Sequence, residues 1–290
     1  LKCNPIITPQ IDESIGTNIN GPSLIKVPDW VKEPLGQYYL YFAHHSGKFI
    51  RLAYANNLQG PWKIYKPGTL KLEDSFCGGH IASPDVHIDN ENEEIIMFYH
   101  GGAITKGEHK ASQTTKLAVS KDGISFTANP RVFGRAYWRS FYWNGFYYAV
   151  TMSGIIYRSE KLKGKYEEGH DIFEKMNYRQ RHMAVKVIDD ILYLFYSIKE
   201  DTPEHIVVSK LKLSDDWKEW RIDSFESVLK PETAYEGADM PLEPSRSGAI
   251  HERVRQLRDP AIYDENGKTY LLYSVAGESG IAIAQILNFS

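Results

Sequence analysis

Two aspartates stand beside prolines at the start of strand-like runs: Asp85 in Ser83-Pro84-Asp85 and Asp259 in Arg258-Asp259-Pro260. Arg139, the Arg181-His182 pair and Arg258 hold comparable places ahead of other such runs. Carboxylates ringed by arginines stay ionised, which suits a general base. A carboxyl on a partly desolvated loop, or a histidine, suits a general acid. Glu236, in Tyr235-Glu236-Gly237, and His251, next to Glu252, lie in the long stretch before Arg258 and are the candidates for that acid. An acid and a base flanking one bond are the minimum for cleaving a glycoside. Simpler roles stand beside these: an Asp next to Pro can cap a turn, and an arginine can pair with a carboxylate. His182, His44, His45, His80 and His100 can each serve structure alone.

These residues must be brought together by repeated elements. Arg258–Ser274 reads as a β-hairpin with Asn266-Gly267 at its turn, where both residues need positive φ. The same unit recurs four times upstream, with second strands centred on Tyr39, Phe98, Tyr147 and Phe195. Third strands follow at Ile50–Ala55, Thr115–Ser120, Gly154–Ser159, His205–Lys210 and Gly280–Ile286. Short fourth elements follow at Gly60–Tyr65, Gly123–Phe126, Gly164–Tyr166 and Trp217–Trp220. Four strands per unit with a Gly/aromatic signature predict an all-β, five-bladed β-propeller with a central funnel-shaped pocket. The expectation is one domain over 1–290, with blades near 20–66, 82–127, 136–168, 180–221 and 257–290 and an insertion at 224–256. The alternative is an all-β sandwich with similar hairpins. A helical turn or two is expected only around His251–Gln256.

In a propeller the innermost strand of each blade lines the axis, so Gly21/Ser23, Asp85, Arg139, Arg181-His182 and Arg258-Asp259 should converge there. Arg139, Trp138, Arg181, His182, Arg258, Glu252 and His100 are then the substrate-binding candidates. Most of the 19 Tyr, 12 Phe and 6 Trp sit in the repeated strands, where packing between blades accounts for them. Trp138, Tyr137, Trp143 and Tyr235 lie outside that pattern and could stack on a sugar ring.

A net charge of −3 argues against nonspecific nucleic-acid binding. No apolar run reaches the roughly 18 residues of a membrane span. Cys3 and Cys77 match no zinc or redox spacing, and no spacing calls for a metal. The chain begins at Leu1, which is compatible with a removed export signal, so the compartment is open between cytoplasm and periplasm or secretion.

Ser83-Pro84-Asp85-Val86, the repeated Gly-x-Tyr-Tyr-Leu-Tyr strand and the Gly60-Pro61-Trp62 blade ending resemble glycoside hydrolase family 43 over nearly the whole chain. That resemblance implies an inverting enzyme on arabinose- or xylose-containing glycans, with an Asp base, an Asp that tunes the acid and a Glu acid. Asp85 matches the tuning Asp. Gly21-Pro22-Ser23 stands where the base is expected, and Ala136-Tyr137-Trp138-Arg139 where the acid is expected; Glu236-Gly237 follows the fourth blade instead. His251-Glu252 ahead of Arg258-Asp259-Pro260 resembles family 117, which implies anhydrogalactose-capped agar oligosaccharides and a His acid. Neither resemblance implies a required cofactor, though related propellers sometimes hold calcium on the axis.

The sequence therefore reads as an exo-acting glycoside hydrolase that removes a terminal sugar from a plant or algal oligosaccharide, with Asp85, Asp259, Glu236 and His251 as catalytic candidates. A noncatalytic glycan-binding propeller and a phosphate-dependent glycoside phosphorylase are the competing readings.

Overall fold

A computed structural model describes residues 1–104 and 112–289. Five antiparallel sheets follow one another along the chain, each with its strands in sequence order. The first holds β1 (Asn20–Lys26), β2 (Tyr38–Ala43), β3 (Phe49–Ala55) and β4 (Lys63–Lys71). The second holds β5 (Gly78–Asp89), β6 (Glu94–Gly102), β7 (Gln113–Ser120) and β8 (Thr127–Arg135). The third holds β9 (Arg139–Trp143), β10 (Phe146–Val150), β11 (Ile155–Ser159) and β12 (Glu167–Asp171). The fourth holds β13 (Gln180–Ile188), β14 (Ile191–Ile198), β15 (Ile206–Lys212) and β16 (Glu226–Leu229), and the last holds β17 (Arg258–Glu265), β18 (Lys268–Ser274) and β19 (Ile281–Ile286). The five-bladed propeller is as the repeats predict.

Alternation along the second strands explains why they are aromatic throughout. Leu40 and Phe42 face the last blade, while Tyr39 and Tyr41 face the second. Ile95 and Met97 pack on the first blade, Ile96 and Phe98 on the third. Tyr193 and Phe195 reach the last blade, Leu194 and Tyr196 the third. Each sheet is thus buried on both faces, and the core is divided into five layers, one between each pair of neighbouring blades.

The turns hold as read: Asn266 and Gly267 have φ of +51° and +71°, and Asn144 and Gly145 +45° and +82°. Closure of the ring differs. The last blade has three strands of its own, and the N-terminal segment lies along β19 as a partial fourth. The Ile6 N–H donates to the Ile281 carbonyl at 2.8 Å, the Ile281 N–H to the Ile7 carbonyl at 2.9 Å, and the Asn4 side chain exchanges bonds with Ile283 at 2.8 and 2.9 Å.

Four local expectations are corrected. Gly164–Tyr166 forms no strand, and the third blade's outer strand is β12 just beyond it. Trp217–Glu219 is a short 3-10 helix, and the fourth strand of its blade is β16, inside the stretch read as insertion. Gly123–Phe126 is a turn built on Asp122, so the second blade's outer strand starts only at Thr127. No helix forms at His251–Gln256; the short helices among the described residues are all 3-10.

Candidate active site

Four of the five inner strands share one irregularity, β9 being the exception. The pairing shifts between Asn20 and Ser23 in β1, Ala82 and Asp85 in β5, Gln180 and Met183 in β13, and Arg258 and Ala261 in β17. The extra residues are Gly21-Pro22, Ser83-Pro84, Arg181-His182 and Asp259-Pro260. Proline fits because a bulge takes its missing N–H out of the ladder, and the bulge re-aims the side chain before it. Gly21, Ser83 and Asp259 have φ of +59°, +49° and +50°. Asp259 is therefore the fifth-blade counterpart of Gly21 and Ser83, whereas Asp85 lies two residues further along its strand, level with Ser23 and Ala261.

That difference separates the two aspartates. Asp85 bridges blades two and three: its Oδ2 accepts from the Ser140 N–H at 3.0 Å and the Ser140 hydroxyl at 3.2 Å, and meets His87 Nε2 at 2.8 Å. Burial pushes its pKa up, but His87 and Arg139 outweigh this and hold it below the usual range. Asp259 is 2% exposed and sets Oδ1 against His182 Nδ1, with the Ser274 hydroxyl 3.4 Å from Oδ2. Burial again acts upward, yet His182, Arg258 and Arg181 hold this carboxyl down at about 2. Burial in turn outweighs Asp259 at His182 and lowers its pKa, favouring neutral imidazole.

Around this pair aromatic rings pack at tilted and edge-on angles. Tyr137 lies between His100 and His182 with ring centroids 4.0 Å away on each side, and His80 meets His100 at 5.8 Å. Tyr137 has φ of +64°, a conformation a bulky residue adopts at a cost of about 1–3 kcal/mol. Burial, together with His182, His80 and Arg139, takes His100 well below the ordinary histidine range, so it is neutral.

A second carboxylate–imidazole pair stands nearby. Glu278, in the turn before β19, is 3.6 Å from His45 Nδ1 and accepts from the Asn20 amide at 3.1 Å and the Asn18 amide at 2.5 Å. The bond to Glu278 raises the pKa of His45 against the effect of burial, and His45 keeps 31% side-chain exposure. Glu278 itself is lowered, because His45 and Asn18 outweigh burial and repulsion from Asp259. The sequence marks His45 only as a loop histidine and gives no signal for Glu278.

Several candidates are engaged elsewhere. Arg181 Nε donates to Glu204 at 2.6 Å, and Arg258 lies 3.3 Å from Glu204 and 3.2 Å from Glu278. Arg181 and Arg258 also donate to the Arg246 carbonyl and, for Arg258, to the Gly248 carbonyl at 3.3 Å. They tie blades four and five and the 224–256 stretch together, and are not free to grip a substrate. Trp138 is 1% exposed and packs on Phe98, Phe133, Tyr157 and Tyr166, so it presents no face to a sugar. Trp143 bonds Asp190 and packs against Trp220 at the far end of β9. Glu236 closes a capping box: Oε2 accepts from the Glu232 and Thr233 N–H groups and the Thr233 hydroxyl, and Oε1 from the Tyr273 hydroxyl at 2.9 Å. His251 and Glu252 are exposed, with the His251 ring 6.1 Å from His44 at the rim. The candidates the structure brings together are Asp259, His182, His100 and Arg139.

A calcium ion does not fit this axis. Asp85, Asp259, Glu204 and Glu278 already bond histidine, arginine, serine or amide groups. Among the described residues no three His, Cys, Asp or Glu side chains are placed to hold a metal. Nor is any helix among them long and apolar enough to cross a membrane.

The fold is shared with solved structures of glycan-degrading enzymes. A GH43_1 enzyme from Xanthomonas citri complexed with xylotriose aligns at TM-score 0.63 and 13% identity, over 95% of this chain and 89% of that one. An exo-1,5-α-L-arabinanase from a bovine ruminal metagenomic library gives TM-score 0.63 at 11% identity over 94% of both chains. Cellvibrio cellulosa α-L-arabinanase complexed with arabinohexaose gives 0.59 at 13%, over 92% and 91%. At these identities the likeness is one of fold. No family model matches the chain. Uncharacterized protein R118 of Acanthamoeba polyphaga mimivirus is 35% identical over 300 aligned positions, covering 93% of this chain and 83% of that protein. The chain belongs to the same protein family as this mimivirus protein.

Proposed function

We propose that the chain is an exo-acting glycoside hydrolase that removes a terminal sugar from a plant or algal oligosaccharide, with inversion. The observation that carries the reading is the pair of carboxylate–imidazole couples, Asp259–His182 and Glu278–His45, whose imidazole pKa values are shifted in opposite directions, His182 down by burial and His45 up by Glu278. Asp259 holds His182 by Nδ1, so the neutral ring can take a proton from water at its other nitrogen, which makes the couple the base. Glu278 raises the pKa of His45 and so favours its protonated form, and the half-buried ring supplies the acid that assists the leaving oxygen. Solved structures of this fold carry xylotriose and arabinohexaose, which supports a glycan ligand. Asp85 is taken up by Ser140 and His87 and acts as a positioning residue between blades two and three rather than on the reacting atoms.

Product chromatography on arabinose-, xylose-, anhydrogalactose-, uronate- and sulfated-sugar-capped oligosaccharides, with and without phosphate, tests this. A released monosaccharide independent of phosphate is expected. Strict dependence on phosphate, or no product across the panel, overturns it.

The His45 assignment has a pH signature. An acid must be protonated, so activity falls as pH rises through its pKa, and here that limb lies above 6.5 because Glu278 raises His45. Glu278→Gln removes the lift and should move the alkaline limb of kcat/KM downward; an unmoved limb would exclude His45. Glu236→Gln gives the contrasting case. It weakens the capping box by about 1–2 kcal/mol, visible as a lower melting temperature, while turnover stays at the parent level.

A further inference from the structure

Beside the two couples is a group of buried donors with nothing to bond. Arg139 is 5% exposed; its NH1 donates to the Trp138 carbonyl at 2.9 Å and the Pro84 carbonyl at 3.3 Å, but its NH2 has no partner among the described residues. Ser83, one residue before Pro84, is 3% exposed and its hydroxyl is equally unpartnered. His100 is 1% exposed, and neither ring nitrogen has a partner. The three are neighbours. His100 sits opposite Ala82 in the β5–β6 register, next to Ser83, and packs on Tyr137, two residues before Arg139.

Buried polar atoms are nearly always bonded, and leaving one unbonded costs about 1–3 kcal/mol. Three such groups in one place are therefore kept for a ligand. The guanidinium only donates, and the hydroxyl and the N–H of the neutral imidazole can donate to the same group, so the buried charge of Arg139 is what favours a charged acceptor over a sugar hydroxyl. An oxyanion accepts from all three. Asp85 and Asp259 do not fill the role: each acts on Arg139 only at a distance, their oxygens being held by His87, Ser140, His182 and Ser274. Gly21 approaches this group closely: a Cβ there would lie 3.4 Å from Ser83 Oγ and 3.3 Å from Ser83 Cα, so a side chain at that position would crowd the Ser83 hydroxyl.

We infer that Arg139, Ser83 and His100 form a subsite for an oxyanion substituent, a carboxylate or sulfate, on the terminal sugar, so that the substrate is an acidic glycan. This rests on the axis being the sugar site proposed above, and it is tested by binding rather than turnover. Calorimetry would use glucuronate, galacturonate, galactose 6-sulfate, glucose, galactose and inorganic phosphate as probes. At least one acidic sugar should bind about 10–100-fold more tightly than its neutral counterpart, which is the weight of one charge-assisted bond to a buried guanidinium. The carboxylate and sulfate arms tell the two substituents apart. Arg139→Gln should erase the preference, and Ser83→Ala, a smaller change that keeps the buried charge, should reduce it several-fold in a protein that still melts cooperatively. Equal binding of acidic and neutral sugars, binding of phosphate alone, or a preference untouched by Ser83→Ala would overturn the subsite. Acidic sugars that bind while no glycan is cleaved leave the subsite standing and remove the hydrolase reading. A neutral sugar released at the same rate by the parent and Ser83→Ala does the reverse.

Discussion

Asp259→Asn is expected to lower turnover by about 10²–10⁴-fold, the range over which a positioned general base acts, with little change in KM. Asn fills the same volume, but it removes the charge that fixes His182 by Nδ1 and stabilises the imidazolium formed when the ring takes a proton. The same substitution has an acid-stability signature. The folded carboxyl sits at about 2 and the reference carboxyl at 3.8, so its contribution is complete above 3.8 and is lost as pH falls toward about 2. The parent should lose stability across that interval, and Asp259→Asn should show a shallower loss. Circular dichroism at neutral pH separates a folded, inactive variant from a collapsed one. A folded variant with parental turnover would remove Asp259 from the mechanism.

The other large effect is on stability. Glu204 is fully buried and bonds Arg181 through one oxygen, which also accepts from the Ser197 hydroxyl at 2.6 Å, while the other faces Arg258. Glu204→Gln leaves two buried guanidinium groups sharing what Glu278 and the loop carbonyls can supply. Breaking a buried pair in this way costs about 3–5 kcal/mol, because the surviving charge cannot be rehydrated. For a chain of this size that lowers the melting midpoint by roughly 5–10 °C. The ring of blades should loosen between the fourth and fifth, where amides of β13 and β17 would exchange faster with solvent. A midpoint within about 1 °C of the parent would show that the network is not a structural clamp.

The blades were legible because their physics is local. Alternating Tyr, Leu and Phe in each second strand, with Asn-Gly turns beside them, specify hairpins that two-sided burial then turns into blades. The N-terminal segment beside β19 was not legible, since a few bonds near Ile281 join residues at opposite ends of the chain. Of the site, Asp259, His182 and Arg139 follow from the repeat, whereas His100 stands near the end of a second strand and the repeat does not place it at the axis. The partners of the arginines could not: the sequence offers Asp85 and Asp259 for Arg181 and Arg258, while Glu204 and Glu278 come from turns with no repeat to mark them. His45 is visible as a histidine, but its pairing with Glu278 is not, for the same reason. Glu236 is a different kind of miss. Thr233-Ala234-Tyr235-Glu236 spells a capping box, and that local signal accounts for the glutamate.

The central claim is that water is added across a glycosidic bond at the axis. Incubation with the capped oligosaccharides and uronate-terminated analogues in ¹⁸O-water, followed by mass spectrometry of the products, tests it most directly. The account predicts one ¹⁸O at the anomeric carbon of the released sugar, and none released by Asp259→Asn. Cleavage without the label, as in an unsaturated product or a sugar phosphate, would contradict it.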